Sequence, residues 1–231
     1  MRKLLTVAEM TLRELIRRKG VIALLLLFPL AFYLLRRGDY VGQSVRLLLL
    51  GVSWAVSTAA LFATSASREI EPRLRLTGYR TSQLYLGRLL GLTALGLAVA
   101  IPFYLLVHFD APNVRHGGTA LAMVFSVAVA APFGMLIGTV LPRELEGTLL
   151  LLITIGIQML MDPDASWAPL TPLWSVRELG TYAVDHTDGG YLVRGIVHGI
   201  GFTLGLAVLV ALVSGFRLRR RGHLRFGAVP H

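Results

Sequence analysis

Few residues in this 231-residue chain are equipped for covalent or acid–base chemistry. There is no cysteine, which excludes thiolate catalysis and a disulfide framework. The six histidines, at 108, 116, 186, 198, 223 and 231, are scattered, and no H-E-x-x-H pair is present to hold zinc. His116 and His186 could meet on the outer side, but the two alone do not make a metal site. Ser214 and His198 are a nucleophile and a base by type, but the sixteen residues between them correspond to roughly 24 Å of helix, too far for a hydrogen bond. No G-x-x-x-x-G-K-[ST] loop cradles nucleotide phosphates, and no G-x-S-x-G turn presents a serine. An intramembrane hydrolase is therefore poorly supported.

The chemistry that remains is that of docking. Residues 67–80 read SREIEPRLRLTGYR, with four arginines, two glutamates, a proline and a glycine between two long apolar runs. Leu74, Leu76 and Tyr79 lie among Arg73, Arg75 and Arg80. Thr77-Gly78 is a turn signal. A solvated linker has no use for those apolar side chains. A helix, a turn and a second helix would make a compact elbow that offers them to a partner.

The elements holding this elbow are membrane spans. The chain is 55% hydrophobic with a mean hydropathy of +0.66, and its charged residues are absent from long blocks. About 20 apolar residues of helix cross a bilayer core of about 30 Å. The pattern predicts an all-α membrane protein with six transmembrane helices, near 20–35, 45–66, 86–107, 118–141, 147–161 and 193–216. These belong to a membrane domain over residues 20–216, with the elbow at 67–85 and a basic tail at 217–231. Residues 1–19 predict an amphipathic helix on the membrane surface, with Leu5, Ala8, Leu12, Leu15 and Ile16 on its apolar face and Glu9 paired to Arg13. Pro29, Pro102 and Pro132 fall inside spans and predict kinks.

Orientation follows from basic residues. Seventeen of the 23 lie in the N-terminus, the elbow and its following helix start, the 142–146 loop and the tail. The other six are Arg36, Arg37, Arg46, Arg115, Arg177 and Arg194. That asymmetry puts both termini in the cytoplasm. It also accounts for the net charge of +10 through anionic lipid rather than nucleic acid. The preference for Arg over Lys, with abundant Ala, Gly, Leu and Val, suggests a GC-rich bacterial genome and hence the bacterial cell membrane.

The fifth span is short, 15 residues from Gly147 to Met161 or about 22 Å. The Pro- and Trp-rich stretch after it predicts short re-entrant helices over 162–190, a plain external loop being the alternative. His198 lies inside the last span among Gly195, Gly199, Gly201 and Gly205, where it serves either packing or a substrate or proton. Trp54, Ser57, Thr58 and Gln158 are polar handles that line a path or join helices.

Three stretches in order, EPRLRLTGYRTSQLYLGRLLG (71–91), PRELEGTLLLL (142–152) and WAPLTPLWSVREL (167–179), resemble segments of the type-2 ABC transporter permeases. The likeness in order, spacing and span number extends over nearly the whole chain. Pro72 departs from the glycine-threonine type of sequence more usual there. The resemblance implies a permease subunit of an ATP-driven exporter for hydrophobic or amphipathic compounds (drug, antibiotic or lipid). It implies two copies of a separate ATP-binding subunit, which carries ATP and magnesium, and a second permease, identical or homologous. By the same resemblance Glu71, Arg73, Leu74, Arg75, Leu76, Thr77, Gly78 and Arg80 form the coupling helix. Trp54, Ser57, Thr58 and Gln158 line the translocation path, and Trp167, Pro169, Pro172 and Trp174 close its outer end. The chain itself carries no cofactor and no metal in this reading. The alternatives are a haem- or polysaccharide-type exporter subunit and a stand-alone secondary transporter or channel. The spans lack the central charges that a secondary transporter would predict.

Because the chain has no native cysteine, single introduced cysteines report topology without background. Leu76→Cys should react with an impermeant maleimide only from the cytoplasmic side, and Asp188→Cys only from the opposite side. The reverse pattern would invert the topology.

Overall fold

The computed structural model describes residues 2–38, 40–162 and 165–219. Helices and turns account for all regular structure among these residues, and they contain no strand. The elements are α1 (Arg2–Arg17), α2 (Lys19–Leu34), α3 (Val41–Ser67), α4 (Glu71–Leu76), α5 (Thr81–Asp110), α6 (His116–Val140) and α7 (Glu144–Leu160), then a 3-10 turn (Ala168–Leu170), α8 (Trp174–Val184) and α9 (Gly189–Arg219). The predicted tail lies, from residue 220 on, outside the described residues.

Four helices, α3, α5, α6 and α9, are long and apolar enough to cross a membrane. α2 and α7, with 16 and 17 residues, correspond to only about 24–26 Å of helix. All six apolar segments expected from the sequence are thus helical, and two of them fall short of a comfortable crossing.

α3 is the hub. Its apolar stretch is 89% buried within the chain, against 17% for α9, which fixes their places at the centre and the periphery. α3 packs against α2, α6, α7 and α8. Small residues on every side of it explain the position, since Gly, Ala and Ser permit close backbone approach where lipid gives no hydrophobic drive to association. A Cβ added to Gly134 of α6 would stand 2.0 Å from the Ser57 carbonyl oxygen of α3. One added to Gly51 of α3 would stand 2.9 Å from the Pro29 Cα of α2. Pro29, Pro102 and Pro132 all lie inside continuous helices.

α1 buries only part of its expected apolar face against the bundle. Val7, Ala8, Thr11 and Leu15 are buried, whereas Leu5 and Ile16 are 62% and 58% exposed. The cause is α5, where Gly87 and Gly91 let α1 approach until added Cβ atoms would lie 2.7 and 2.8 Å from the Leu4 and Ala8 carbonyl oxygens. That groove selects the face centred on Val7 and Ala8 and leaves Leu5 and Ile16 on the flank. The expected Glu9–Arg13 pair is present at 2.5 Å, exposed.

Exposed apolar side chains elsewhere form bands rather than single spots. They include Leu149, Leu152, Ile153 and Leu160 on α7, and Val193, Val197, Ile200, Leu204 and Val208 on α9. A surface of this kind suits a hydrocarbon surround.

Gly134→Val should lower stability in detergent by about 1–3 kcal/mol or more, because a branched side chain must displace backbone. Gly156→Ala on α7, where nothing lies within 4 Å of the added carbon, should be neutral or gain about 0.5–1 kcal/mol from helix propensity. Thermal unfolding of the two variants against wild type distinguishes them.

Candidate functional site

α4 is six residues long, with Glu71 and Pro72 opening it, a placement in which the missing proline donor costs nothing. It ends at Thr77, and Gly78 takes a φ of +86°, the left-handed geometry that lets the chain turn into α5. So short a helix has no independent stability. Its stability comes from a buried ionic knot. Glu71 is 4% exposed and accepts a hydrogen bond from Arg88 Nη1 at 2.9 Å, with Arg88 itself 7% exposed. The second Glu71 oxygen accepts from Arg217 of α9. Two cations thus share one anion, joining α4 to α5 and α9.

Arg68 completes the anchor from the end of α3. It donates to the Gly138 carbonyl at 3.0 Å, to Pro142 at 3.1 Å and to Leu141, satisfying carbonyls freed at the end of α6. Burial, and then the nearby Arg217, lower the Arg68 guanidinium from its ordinary value. Tyr85 Oη donates to the Ala207 carbonyl at 2.7 Å, a second tie between α5 and α9. From α1, Lys3 Nζ donates to the Gly78 carbonyl at 3.0 Å and lies 5.2 Å from the Tyr79 ring centre.

Most of the expected coupling residues are brought to one surface. Arg73, Arg75, Leu76, Thr77, Gly78 and Arg80 are exposed, and Leu74 is half-buried. Leu76 is 89% exposed, an apolar side chain held out among basic ones. Glu71, grouped with them by sequence, faces inward instead, because its carboxylate is occupied by Arg88 and Arg217.

The expected path residues are packed inside the single chain. The Trp54 ring stacks on Phe28 at 3.9 Å, and Ser57 Oγ donates to the Ala130 carbonyl at 3.1 Å. Thr58 is 1% exposed, and both its hydroxyl and Trp54 Nε1 lack a partner among the described residues. Gln158 is buried on α7 and donates through Nε2 to Thr171 Oγ1 at 3.0 Å.

At the opposite end, the expected outer segment consists of the 3-10 turn and α8, which packs along α9, α6 and α3. Trp167 is 46% exposed, Pro169 is exposed, and Pro172 and Trp174 are half-buried. His198 gathers part of this group. Its Nε2 lies 2.8 Å from the Pro169 carbonyl, which only accepts, so Nε2 carries the proton. Trp174 meets the ring edge-on at 4.9 Å and Phe202 stacks at 5.0 Å. Of the four glycines around it, Gly195 packs on Leu179 and Gly199 on Phe125, while Gly201 and Gly205 face open space.

His116 and His186 each have a different partner. His116 lies against His108 at 4.3 Å, and His186 bonds the Asn113 carbonyl at 2.6 Å. Arg115 donates to the Thr187 and His186 carbonyls and so ties the α8–α9 turn to the start of α6. No cluster of metal-ligating side chains exists among the described residues.

No protein-family model and no curated protein sequence matches this chain.

Sequence reasoning missed the partners of Glu71. Arg88 was visible only as one more basic residue, and Arg217 is 146 positions away. It also missed the arginine–carboxylate pairs at the other end. These are Arg37–Asp110, with Tyr33 Oη donating to the same carboxylate at 2.5 Å, Arg46–Asp185, and Arg194–Glu178 at 2.9 Å. The one available signal was the occurrence of Asp110, Glu178 and Asp185 near span ends otherwise rich in arginine.

Glu71→Gln should destabilise the protein by about 3–5 kcal/mol, since it leaves buried Arg88 without a counter-charge. The double variant Glu71→Gln/Arg88→Met should recover a large part of that loss. Exposed Glu69→Gln should change stability by less than about 0.5 kcal/mol. Detergent-solubilised melting curves read all three.

Proposed function

We propose that this chain is the permease subunit of an ATP-driven exporter of the type-2 ABC class, with hydrophobic or amphipathic compounds as cargo. In this reading α2 and α7 complete six spans, the bilayer thinning locally around them. Both termini and α4 lie on the cytoplasmic side, in keeping with the distribution of basic residues.

The observation that carries the reading is the mounting of α4. Solvent-facing elements between spans are ordinarily loops with little to hold them. Here a six-residue helix is anchored through buried Glu71 to two other helices, while Leu76, Arg73 and Arg80 project outward. An element fixed at its base and apolar at its tip is suited to receive force from a partner and pass it to the bundle. A pair of ATP-binding subunits that closes on ATP would move two such elbows, and the attached α5 and α9 would move with them. The differential affinity of the ATP-binding subunits for the two arrangements supplies the free energy. The absence of a phosphate loop in the sequence agrees with hydrolysis on another polypeptide.

Arg73→Glu and Arg80→Glu should each weaken co-purification of the ATP-binding subunit by about tenfold or more, by placing like charges across the interface. The melting temperature of the purified chain should stay at the wild-type value, since both side chains are exposed. Unchanged assembly and unchanged transport in both variants would remove α4 as the docking element.

A further inference from the structure

The end of the bundle remote from α4 holds two adjoining cavities of about 700 and 710 Å³. Both are lined by Arg46 of α3, Arg177 of α8 and Asp185 just beyond α8. Asp185 pairs with Arg46. The Arg177 side chain has neither a hydrogen bond nor an ion pair among the described residues, and its Nη1 is buried. Arg46 Nε is buried and unpartnered as well. In the neighbouring cavity Arg194 is matched by Glu178, so it does not supply the missing anion.

A guanidinium nitrogen buried without an acceptor is costly. The local backbone adds to that cost. Arg177 lies in the opening turn of α8, the positive end of the helix dipole, where a cation is disfavoured. A buried acceptor is unused in the same cavity. The Thr171 hydroxyl spends its one proton on the Ala168 carbonyl at 2.8 Å, so it accepts from the Gln158 amide nitrogen. Gln158 Oε1 is thereby left buried and unpartnered. The wall of the cavity that Gln158 lines also carries the apolar side chains of Leu47, Leu50, Met161 and Val176, with Tyr40 and Gln43 beside them. Met159 also lines it and is 47% exposed on α7, so the cavity reaches the lipid-facing surface.

We infer that this cavity binds an anionic amphiphile, whose phosphate or carboxylate head sits between Arg177 and Arg46 and whose acyl chain follows the apolar wall toward α7. A hydroxyl on the head group would answer Gln158 Oε1. The fork of donors on a guanidinium suits both kinds of oxyanion. The volume lies in the range of sites that enclose a small ligand. Arg46 lies near the start of α3, a helix long enough to cross a membrane, so a bilayer around α3 would bring its head groups close to this cavity. The inference does not depend on the exporter reading, since either a stand-alone membrane protein or a permease would hold the ligand alike.

The test uses the full chain in neutral detergent, titrated with phosphatidylglycerol, oleate or phosphatidylcholine and read by native mass spectrometry. Wild type should retain one phosphatidylglycerol or one oleate, and whichever binds more tightly identifies a phospholipid or a fatty acid as the source. Arg177→Gln should weaken that binding by about tenfold or more, while Arg37→Gln, whose guanidinium is already paired with Asp110 at the same end, should not change it. Where Arg177→Gln fails to fold, phenylglyoxal labelling of wild-type Arg177 replaces it, with protection expected from the anionic lipid and not from phosphatidylcholine. Equal retention of phosphatidylcholine, equal binding by Arg177→Gln, or labelling of Arg177 that the anionic lipids leave unprotected would overturn the assignment.

Discussion

A carboxylate removed from water at one end of a helical bundle must have its charge answered there. Glu71 is answered by Arg88 from α5 and Arg217 from α9, and the arrangement of that end of the protein depends on it. α4 is too short to persist alone. α5 could be aimed differently after the Gly78 turn. The shared carboxylate fixes both, and Tyr85, Arg68 and Lys3 add ties to α9, α6 and α1. Removing the anion would leave two like charges close together, so the knot has a single good arrangement.

The two ends of the bundle use charge differently. Around α4 two arginines share the single carboxylate of Glu71, and other basic side chains face outward with Leu76. At the other end, arginines are neutralised in separate pairs that tie α2 to α5, α3 to the turn after α8, and α8 to α9. Among the described residues, Arg177 is the arginine lining the two cavities that has no carboxylate partner. Between the ends runs α3, with glycine and serine contacts so close that α2, α3 and α6 form a rigid centre. α7 and α9 keep wide apolar faces outside that centre. A motion that reorients the periphery while preserving the α3–α6 contact is the one this packing permits.

Much of the fold was legible because the bilayer imposes a coarse rule. Charge-free runs of sufficient length become helices, and each of the six predicted runs did. The helix–turn–helix character of 67–85 was readable from Pro72, Thr77 and Gly78 for equally local reasons. What could not be read was which face of a helix turns inward. For α1 the answer lay in Gly87 and Gly91 of another helix, which seat Val7, Ala8 and Thr11 against α5 and leave Leu5 and Ile16 on the outer flank. For Glu71 it lay in Arg217, across nearly the whole chain. The role of His198 depended on the Pro169 carbonyl, an acceptor that residue types do not reveal. Segment identity is a local property of sequence, whereas the pairing of buried polar groups is set by tertiary contacts.

Hydrogen–deuterium exchange of the intact chain in lipid nanodiscs tests the central claim most directly. The amides of Leu74, Thr77, Gly78 and Tyr79 each donate to carbonyls within or beside α4. If the Glu71 knot holds that helix to the bundle, these amides exchange slowly in the wild type and lose protection in the Glu71→Gln variant, while the α3–α6 core stays protected in both. Exchange at the rate of an unstructured loop in the wild type would contradict the account.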